Sequence, residues 1–190
     1  MGAEKSVRSR RLPAHLHIGG VMAVARALEW IFASYFLTHI MVTLFFDLQI
    51  LLPGVYPSAL SDMLTWYTTT FKDSLVASRE PWFMSSLYFE TFPQLFFFPV
   101  AAYAFWKGNC KWIRTPVIIY ATHIITTVVT YLAHILFTDF SNGRVLGPQT
   151  LQERLTLSAF YAPFLAIPLV MLLFVLFSSG YKPVEKKKKK

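Results

Sequence analysis

The chain has 190 residues, of which 55% are hydrophobic and 15% are charged, whereas soluble domains average roughly half apolar and about a quarter charged residues. The apolar residues form long blocks separated by polar stretches, which favours a protein that crosses a bilayer. The single Cys110 cannot form an internal disulfide, and no metal-spaced cluster, Walker loop or dinucleotide motif is present. Disulfide scaffolds, structural zinc and nucleotide chemistry therefore have no support, and we predict neither a metal nor a cofactor.

Four blocks are long enough to cross the hydrocarbon layer as helices, since about 20 residues at a rise of ~1.5 Å span some 30 Å. They cover residues 28–52, 81–105, 113–137 and 155–177. The segment between the first two blocks has apolar residues at helical spacing, which predicts a short amphipathic helix. The sequence therefore predicts an all-α fold, an integral membrane four-helix bundle with a short lumenal amphipathic helix between spans 1 and 2.

Lysine and arginine are distributed unevenly around these blocks. They concentrate in residues 1–26, in the connection between the second and third blocks, and in the tail of residues 179–190. Such residues favour the cytosolic side, so we expect both termini to be cytosolic, with a flexible basic arm at residues 1–26 and a polybasic tail at residues 179–190. The net charge of +8 then reflects topology, and a nucleic-acid partner is not expected.

Two acidic residues lie inside the predicted spans, where an ionisable group is energetically unfavourable and is therefore usually paired with another group or functional. Asp47 follows His39 and Thr43 at intervals of four, and Glu90 lies in the second block. We expect the two carboxyls to converge, with Glu90 protonated and donating to Asp47, because two carboxylates cannot both ionise cheaply in a low dielectric. One negative charge would remain, suited to an ammonium ligand or to acid/base work. The alternative is that Asp47 reaches the lumenal interface and Glu90 binds nearby backbone.

The third block carries a polar stripe at helical spacing, which must face the interior of the bundle. It comprises His123, Thr127, Tyr131 and His134. For the histidines, a role in holding helices together is favoured over catalysis or ligand contact, because no metal-ligand spacing accompanies them.

Prolines interrupt the second and fourth blocks, and each removes a backbone hydrogen bond and opens a local kink. Pro93 and Pro163 are the two that we assign a structural role. Kinked helices can enclose a pocket, and the aromatic residues beside them would give it apolar walls, although an aromatic run is more often a lipid-facing surface.

Several ordered motifs resemble a known family. They are "LTHIMVTLFFDLQILLP", "FETFPQLFFFPVAAYAFWKGNCKWIRTPVIIYATH" and "ERLTLSAFYAPFLAIP", followed by a polylysine end. Together they resemble the EXPERA-domain family, which includes the emopamil-binding sterol isomerase. The resemblance implies an EXPERA domain at residues 27–178 and an endoplasmic-reticulum membrane protein, with nuclear-envelope and endosomal or lysosomal membranes as further locations. It also implies a homodimer that binds sterols or oxysterols and cationic amphiphilic small molecules, contacts membrane lipid, and acts with the Niemann-Pick C1 protein in cholesterol handling.

Carried over by motif, the resemblance implies that Asp47 meets the ligand ammonium and that Glu90 orients Asp47. The expected cavity residues are His39, Gln94, Thr127, Tyr161 and Phe164, the last standing where the family usually has tyrosine. Asp73 and His123 are expected to be structural. Lys187 and Lys188 occupy the positions of a dilysine retrieval signal, and the alternative is a tail that binds anionic lipid.

Three hypotheses about function follow. The leading one is an intracellular membrane receptor that takes sterols or amines from the bilayer and modulates cholesterol trafficking. The alternative is a sterol isomerase-like enzyme in which Glu90, Asp47 and His123 move protons. A third hypothesis, a trafficking adaptor that works through helix contacts, is compatible with the first.

Overall fold

The computed structural model describes residues 14–182, in which the regular elements are all helices and no strand occurs. The prediction of an all-α fold is confirmed. The α-helices are α1 (Ala14–Val42), α2 (Leu48–Leu51), α3 (Ser58–Thr70), α4 (Ser74–Ser78), α5 (Pro81–Phe89), α6 (Leu95–Lys107), α7 (Arg114–Phe137) and α8 (Leu151–Phe177). Single π-helical turns, Thr43–Asp47 and Glu90–Gln94, join α1 to α2 and α5 to α6.

Three helical runs within the described range are long and apolar enough to cross a membrane. They are Met22–Leu51, Lys111–Phe137 and Leu151–Phe177. The second predicted block instead consists of α5 and α6 with the π-turn between them, a continuous helical path that carries Glu90 in its middle. The chain is therefore a membrane helical bundle, and the count of four spans stays a prediction.

The first helix begins at Ala14, well before the boundary predicted at residue 27. Residues 14–26, which were expected to belong to a flexible basic arm, form the first part of this helix. Alanines at 14, 23, 25 and 27 have high helix propensity and extend the helix towards the N-terminus. The first 13 residues, and the tail that contains Lys187 and Lys188, lie outside the described residues.

The two π-turns lie next to each other, and the second has a local cause. The Leu95 N–H bonds the Glu90 carbonyl and the Leu48 N–H bonds the Thr43 carbonyl, each five residues back. In the second turn Pro93 lacks an N–H and its ring crowds the preceding turn, which the wider π geometry accommodates. The two π-turns contact each other, so the protein places its two intramembrane acids on adjoining irregular turns.

Helix pairs and two apolar clusters hold the bundle together. The most extensively packed pairs are α1 with α6 and α7 with α8. A larger aromatic cluster includes Phe36, Phe98 and Phe105, and a smaller one includes Leu75 and Ile135. The wide aromatic rings leave space where the two clusters meet, and that space is the cavity described below.

The segment between the first two predicted spans does form a helix, α3, followed by the short α4. Its position on the lumenal side stays a prediction. The Asp73 side chain caps α4 by accepting hydrogen bonds from the Leu75 and Val76 amides at 3.0 and 3.2 Å. This cap fixes the turn between α3 and α4, and through it the position of Asp73 at one end of the cavity.

Candidate functional site

A cavity of about 230 Å³ lies inside the bundle. Most of its wall is aliphatic or aromatic, which suits a hydrophobic ligand. Its polar lining residues are His39, Asp47, Tyr67, Asp73, Glu90, Tyr131 and Tyr161, and its apolar ones include Phe46, Phe83, Ile124, Phe160 and Phe164. The cavity therefore combines a mostly apolar wall with several ionisable or hydrogen-bonding groups.

Asp47 ends the first π-turn and is half-buried, with its exposed part in the cavity. None of the hydrogen bonds described for residues 14–182 reaches its carboxylate, and the nearest donor is the Thr43 hydroxyl. The Thr43 hydroxyl, four residues earlier, is buried and likewise has no partner in that range. Asp47 is thus a carboxylate that faces an apolar chamber with its hydrogen-bonding capacity unused.

Glu90 has a different partner from the one that the sequence predicted. Its Oε1 lies 2.5 Å from Nε2 of His39 on α1, and both side chains are buried, with 8% and 2% of the residues exposed. The expected direct bond from Glu90 to Asp47 is absent among the described hydrogen bonds. An imidazole is a cheaper partner than a second carboxylate, because one proton shared between the two groups leaves the pair neutral on whichever side it resides.

The His39 ring links this pair to a chain of phenols. Its Nδ1 lies 3.3 Å from the Tyr120 hydroxyl, which in turn lies 2.9 Å from the Tyr35 hydroxyl. The ring also stacks on Phe98 at 4.7 Å between centroids and contacts Phe164 at 5.0 Å. These contacts on both nitrogens and both faces hold the imidazole in one orientation.

Asp73 is fully buried and fully bonded, in contrast to Asp47. Its Oδ2 accepts hydrogen bonds from the hydroxyls of Tyr67 at 3.0 Å and Tyr161 at 2.8 Å, while its Oδ1 caps α4. Burial, followed by the neighbouring Asp73 carboxylate, raises the pKa of the Tyr67 phenol, so this phenol stays a neutral donor. The cluster of Tyr67, Asp73 and Tyr161 closes one end of the cavity.

A second cavity of about 480 Å³ lies between α1 and α8. Residues of both helices form it, and the exposed side chains of Trp30 and Ile31 lie at its edge. Its lining comprises Trp30, Ile31, Ser34, Tyr35, Thr38, His39, Val42, Pro163, Phe164 and Ile167. His39, Val42 and Phe164 also line the first cavity, so these three side chains form the wall between the two.

The structure brings together five of the seven residues that the sequence assigned to a ligand. His39, Asp47, Glu90, Tyr161 and Phe164 line the first cavity. Gln94 and Thr127 are not among the described lining residues of either cavity. Gln94 is buried, and both polar atoms of its amide lack a partner within residues 14–182. Its backbone belongs to the second π-turn, whose wider pitch displaces it from the Glu90 face on which a regular helix would place it.

The residues expected to be structural lie outside the first cavity except for Asp73. Pro93 lies inside the second π-turn, and Pro163 lines the second cavity while α8 continues without interruption. His123 packs against Phe89 at 4.5 Å between ring centroids and lines neither described cavity. Its position accords with a role in holding helices together rather than with ligand contact.

Two features of the site were missed at the sequence level. One is the His39–Glu90 bond, although His39 was placed on the Asp47 stripe. The other is Tyr131, which was recognised only as part of the α7 stripe and which lines the cavity. Tyr131 follows Thr127 by one helical turn, and this spacing could have indicated that Tyr131 lies at the site. Helical spacing alone, however, does not tell which of two successive polar residues reaches a cavity.

Comparison with known proteins identifies the family of the chain. Residues 59–175 match the family model described as EXPERA (EXPanded EBP superfamily). The chain is 53% identical over 171 residues to Sigma intracellular receptor 2 of Xenopus tropicalis, covering 89% of this chain and all of the relative. It is 50% identical over 175 residues to the proteins of the same name from Macaca fascicularis and Homo sapiens, covering 90% of this chain and 99% of each relative. The predicted family resemblance is confirmed.

Proposed function

Because the chain belongs to the EXPERA superfamily, we propose that it is a membrane receptor of the sigma-2 type that binds cationic amphiphilic molecules and sterols in the cavity beside Asp47. The name of its relatives supports a receptor. The ligand class follows from the site, since the described wall of the cavity is apolar and the Asp47 carboxylate that faces it can pair with a cation.

The observation that carries this proposal is the unbonded Asp47 carboxylate in an aromatic chamber. A ligand ammonium would form a charge-assisted hydrogen bond with it, and the low dielectric of the chamber would strengthen the pair. The apolar part of the ligand would fill the cavity and pack against side chains such as Phe46 and Phe164. A sterol would use the same wall, with its hydroxyl in place of the ammonium.

The His39–Glu90 bond has a clear task in this mechanism. A second carboxylate near Asp47 would oppose its charge, but a Glu90 paired with His39 is neutral as a unit. The other carboxylate of the cavity, Asp73, already accepts four hydrogen bonds, so Asp47 is the one left to pair with a cation. Glu90 acts as a positioning residue through this pairing rather than by direct contact with Asp47.

The second cavity suggests the route of entry. It lies between α1 and α8 and is separated from the first by His39, Val42 and Phe164. Hydrophobic amines and sterols partition into lipid, so a passage between two helices would admit them laterally from the bilayer.

The cellular role is inferred from the family. We infer that the receptor resides in the endoplasmic-reticulum membrane with both termini cytosolic, and that it modulates cholesterol homeostasis together with the Niemann-Pick C1 protein. Assembly as a homodimer belongs to the same inference. These assignments can be checked by microscopy and by co-purification, independently of the cavity.

The decisive test is Asp47→Asn in the full chain, purified in lipid nanodiscs. Asparagine keeps the shape of the side chain but removes its charge. Saturation binding of a radiolabelled cationic amphiphile should fall by a factor of at least 100, while the melting temperature of the protein stays within a few degrees. Unchanged affinity in a correctly inserted variant would exclude the ion pair and with it the proposal.

A second candidate function is supported by the hydrogen-bonded chain Glu90–His39–Tyr120–Tyr35. An isomerase that moves a sterol double bond adds a proton to one carbon and removes one from another, and such a chain can supply and collect those protons. Incubation of the purified protein with a Δ8 sterol would reveal the shifted isomer. Turnover that is lost in Glu90→Gln would favour this function over a receptor.

A further inference from the structure

The two ends of the bundle differ in charge. Hydrogen bonds join the first half of α1 to the end of α6, the start of α7 to the end of α8, and α1 to Tyr181, so these segments lie together at one end, called the Arg26 end below. Within residues 14–182 its charged side chains are five cations and one acid: Arg26, Lys107, Lys111, Arg114, Lys182 and Glu29. The opposite end has four of each, apart from the buried Asp73: Lys72, Arg79, Arg144 and Arg154 with Asp62, Glu80, Asp139 and Glu153. The described chain is therefore strongly basic at one end and neutral at the other.

Two of the five cations are used inside the fold, and three are not. The Arg26 guanidinium donates to Glu29 and to two carbonyls at the end of α6, and Arg114 donates to a backbone carbonyl of α8. The other three side chains are exposed, and no ion pair or hydrogen bond is described for them within residues 14–182. They are Lys107, Lys111 and Lys182. The positive charge that lacks a described counter-ion at this end is therefore carried by lysines on the surface.

Lys107 and Lys111 have a defined place relative to the membrane. Lys107 ends α6, Lys111 begins the candidate span Lys111–Phe137, and the short connection between them is tied to a buried carboxylate of α1 by a backbone hydrogen bond of 2.9 Å. Beside the two lysines, Trp106 and Trp112 are 54% and 55% exposed. Exposed indole rings at the end of a span favour the headgroup level of a bilayer, so the two lysines lie at the level of the lipid phosphates.

We propose that Lys107 and Lys111, with the indole rings of Trp106 and Trp112, form a binding surface for the headgroup of an anionic phospholipid. The charges are complementary, because the headgroup is negative and the one acid described at this end, Glu29, is buried and already bonded. The exposed rings favour a lipid over a soluble acidic protein, since they would pack against the glycerol and upper acyl chains of the same molecule. This inference goes beyond the proposed function and does not depend on it.

The test is native mass spectrometry of the full chain in a mild non-ionic detergent. The protein is titrated with palmitoyl-oleoyl phosphatidylserine and, separately, with the phosphatidylcholine that has the same acyl chains but no net charge. A lysine close to an anionic headgroup is worth a factor of about five in affinity, so the first phosphatidylserine should bind about 25-fold more tightly than the first phosphatidylcholine. The double change Lys107→Gln and Lys111→Gln should abolish most of this preference and leave phosphatidylcholine binding unchanged.

The matched control is the double change Arg79→Gln and Arg144→Gln, which removes two exposed charges from the opposite end. It should preserve the preference for phosphatidylserine. An equal loss in the control would mean that only the net charge of the protein matters, and equal affinity of the unmodified protein for the two lipids would mean that the surface does not exist. Replacement of the lysines at 186–190 by glutamine is a second control. If it abolishes the preference while Lys107 and Lys111 are intact, the tail binds the headgroup and the assignment is wrong.

Two further measurements separate this surface from other effects. Added salt should weaken phosphatidylserine binding, because exposed charges are screened, and a preference that does not respond to salt would contradict the proposal. The melting temperature of the lysine variant should stay within a few degrees of the parent, since both side chains are exposed. Asp47→Asn should leave the lipid preference intact whether or not it abolishes binding of a cationic amphiphile. Failure of the lipid surface and failure of the proposed function are therefore distinguishable.

Discussion

Two buried polar regions of this bundle have opposite designs. At the end of the bundle that carries Arg26, the Glu29 residue is 3% exposed and its carboxylate is fully hydrogen-bonded. It accepts hydrogen bonds from Arg26 at 2.9 Å, from the Asn109 backbone amide at 2.9 Å and from the Tyr181 hydroxyl at 2.7 Å. In the cavity, the Asp47 carboxylate has no such set of partners among the described hydrogen bonds. The first region uses polar groups to join helices, and the second leaves polar groups free for a ligand.

The difference teaches how to tell structural from functional acids in a membrane bundle. Glu29 connects α1, the connection after α6 and the segment after α8, so its bonds close the fold. Burial, and then the bond to Glu29, raises the pKa of Tyr181, which keeps that phenol a donor. Completed hydrogen bonding indicates stabilisation, while unfilled hydrogen bonding beside a cavity indicates binding.

The largest effect on stability is expected from Glu29→Ala. It removes a buried acceptor of three hydrogen bonds, and at about 1.5 kcal/mol for each bond to a charged group the loss is about 3–5 kcal/mol. The Arg26 side chain is 39% exposed, so water partly replaces its lost anion. Thermal unfolding in nanodiscs should show a large decrease in melting temperature. Ligand affinity of the protein that remains folded should be unchanged, and an equal loss of affinity would contradict the separation of the two regions.

Asp73→Ala should come next, with a loss of about 3 kcal/mol. The change removes the α4 cap, worth about 1 kcal/mol, and strands the buried hydroxyls of Tyr67 and Tyr161, each at a cost of about 1 kcal/mol or more. Denaturant or thermal unfolding measures the loss. The double change of Tyr67 and Tyr161 to Phe in this background should recover part of it, because it removes the stranded hydroxyls.

Gly108→Ala should cost about 1–2 kcal/mol. Gly108 ends α6 with φ of 77°, a conformation that costs any residue with a side chain. An added Cβ would lie 2.4 Å from Arg26 Nη1 and 2.7 Å from Glu29 Oε2, so the change also disturbs the Glu29 contacts. Gly143→Ala provides a control, since it has φ of 65° but nothing within 4 Å of an added Cβ. Equal losses at the two glycines would show that backbone strain alone is responsible.

The sequence predicts much of this arrangement and misses a specific part of it. Long apolar blocks predict the helices. Burying the acids Asp47 and Glu90 in a membrane is unfavourable, so the sequence predicts that both lie at a functional site. The π-turns are not predicted, because residue spacing assumes a regular helix; in the second turn Pro93 removes one of the regular helical hydrogen bonds. This local widening removes Gln94 from the described cavity walls and leaves His39 as the partner of Glu90. The partner of a buried acid depends on rotations of a fraction of a helical turn, which residue spacing does not resolve.

The smallest effect on stability is expected at the residue with the largest effect on binding. Asp47→Ala should change the free energy of unfolding by no more than about 0.5 kcal/mol, and could raise it, because a carboxylate facing an apolar chamber without hydrogen bonds contributes little to folding and is costly to desolvate. Asp73→Ala is the best variant to compare with it, because Asp47 and Asp73 are aspartates that line the same cavity. Thermal unfolding of the two variants without ligand, alongside binding of one cationic amphiphile, measures both quantities. A destabilisation at Asp47 as large as that at Asp73 would mean that its carboxylate is engaged in holding the fold together.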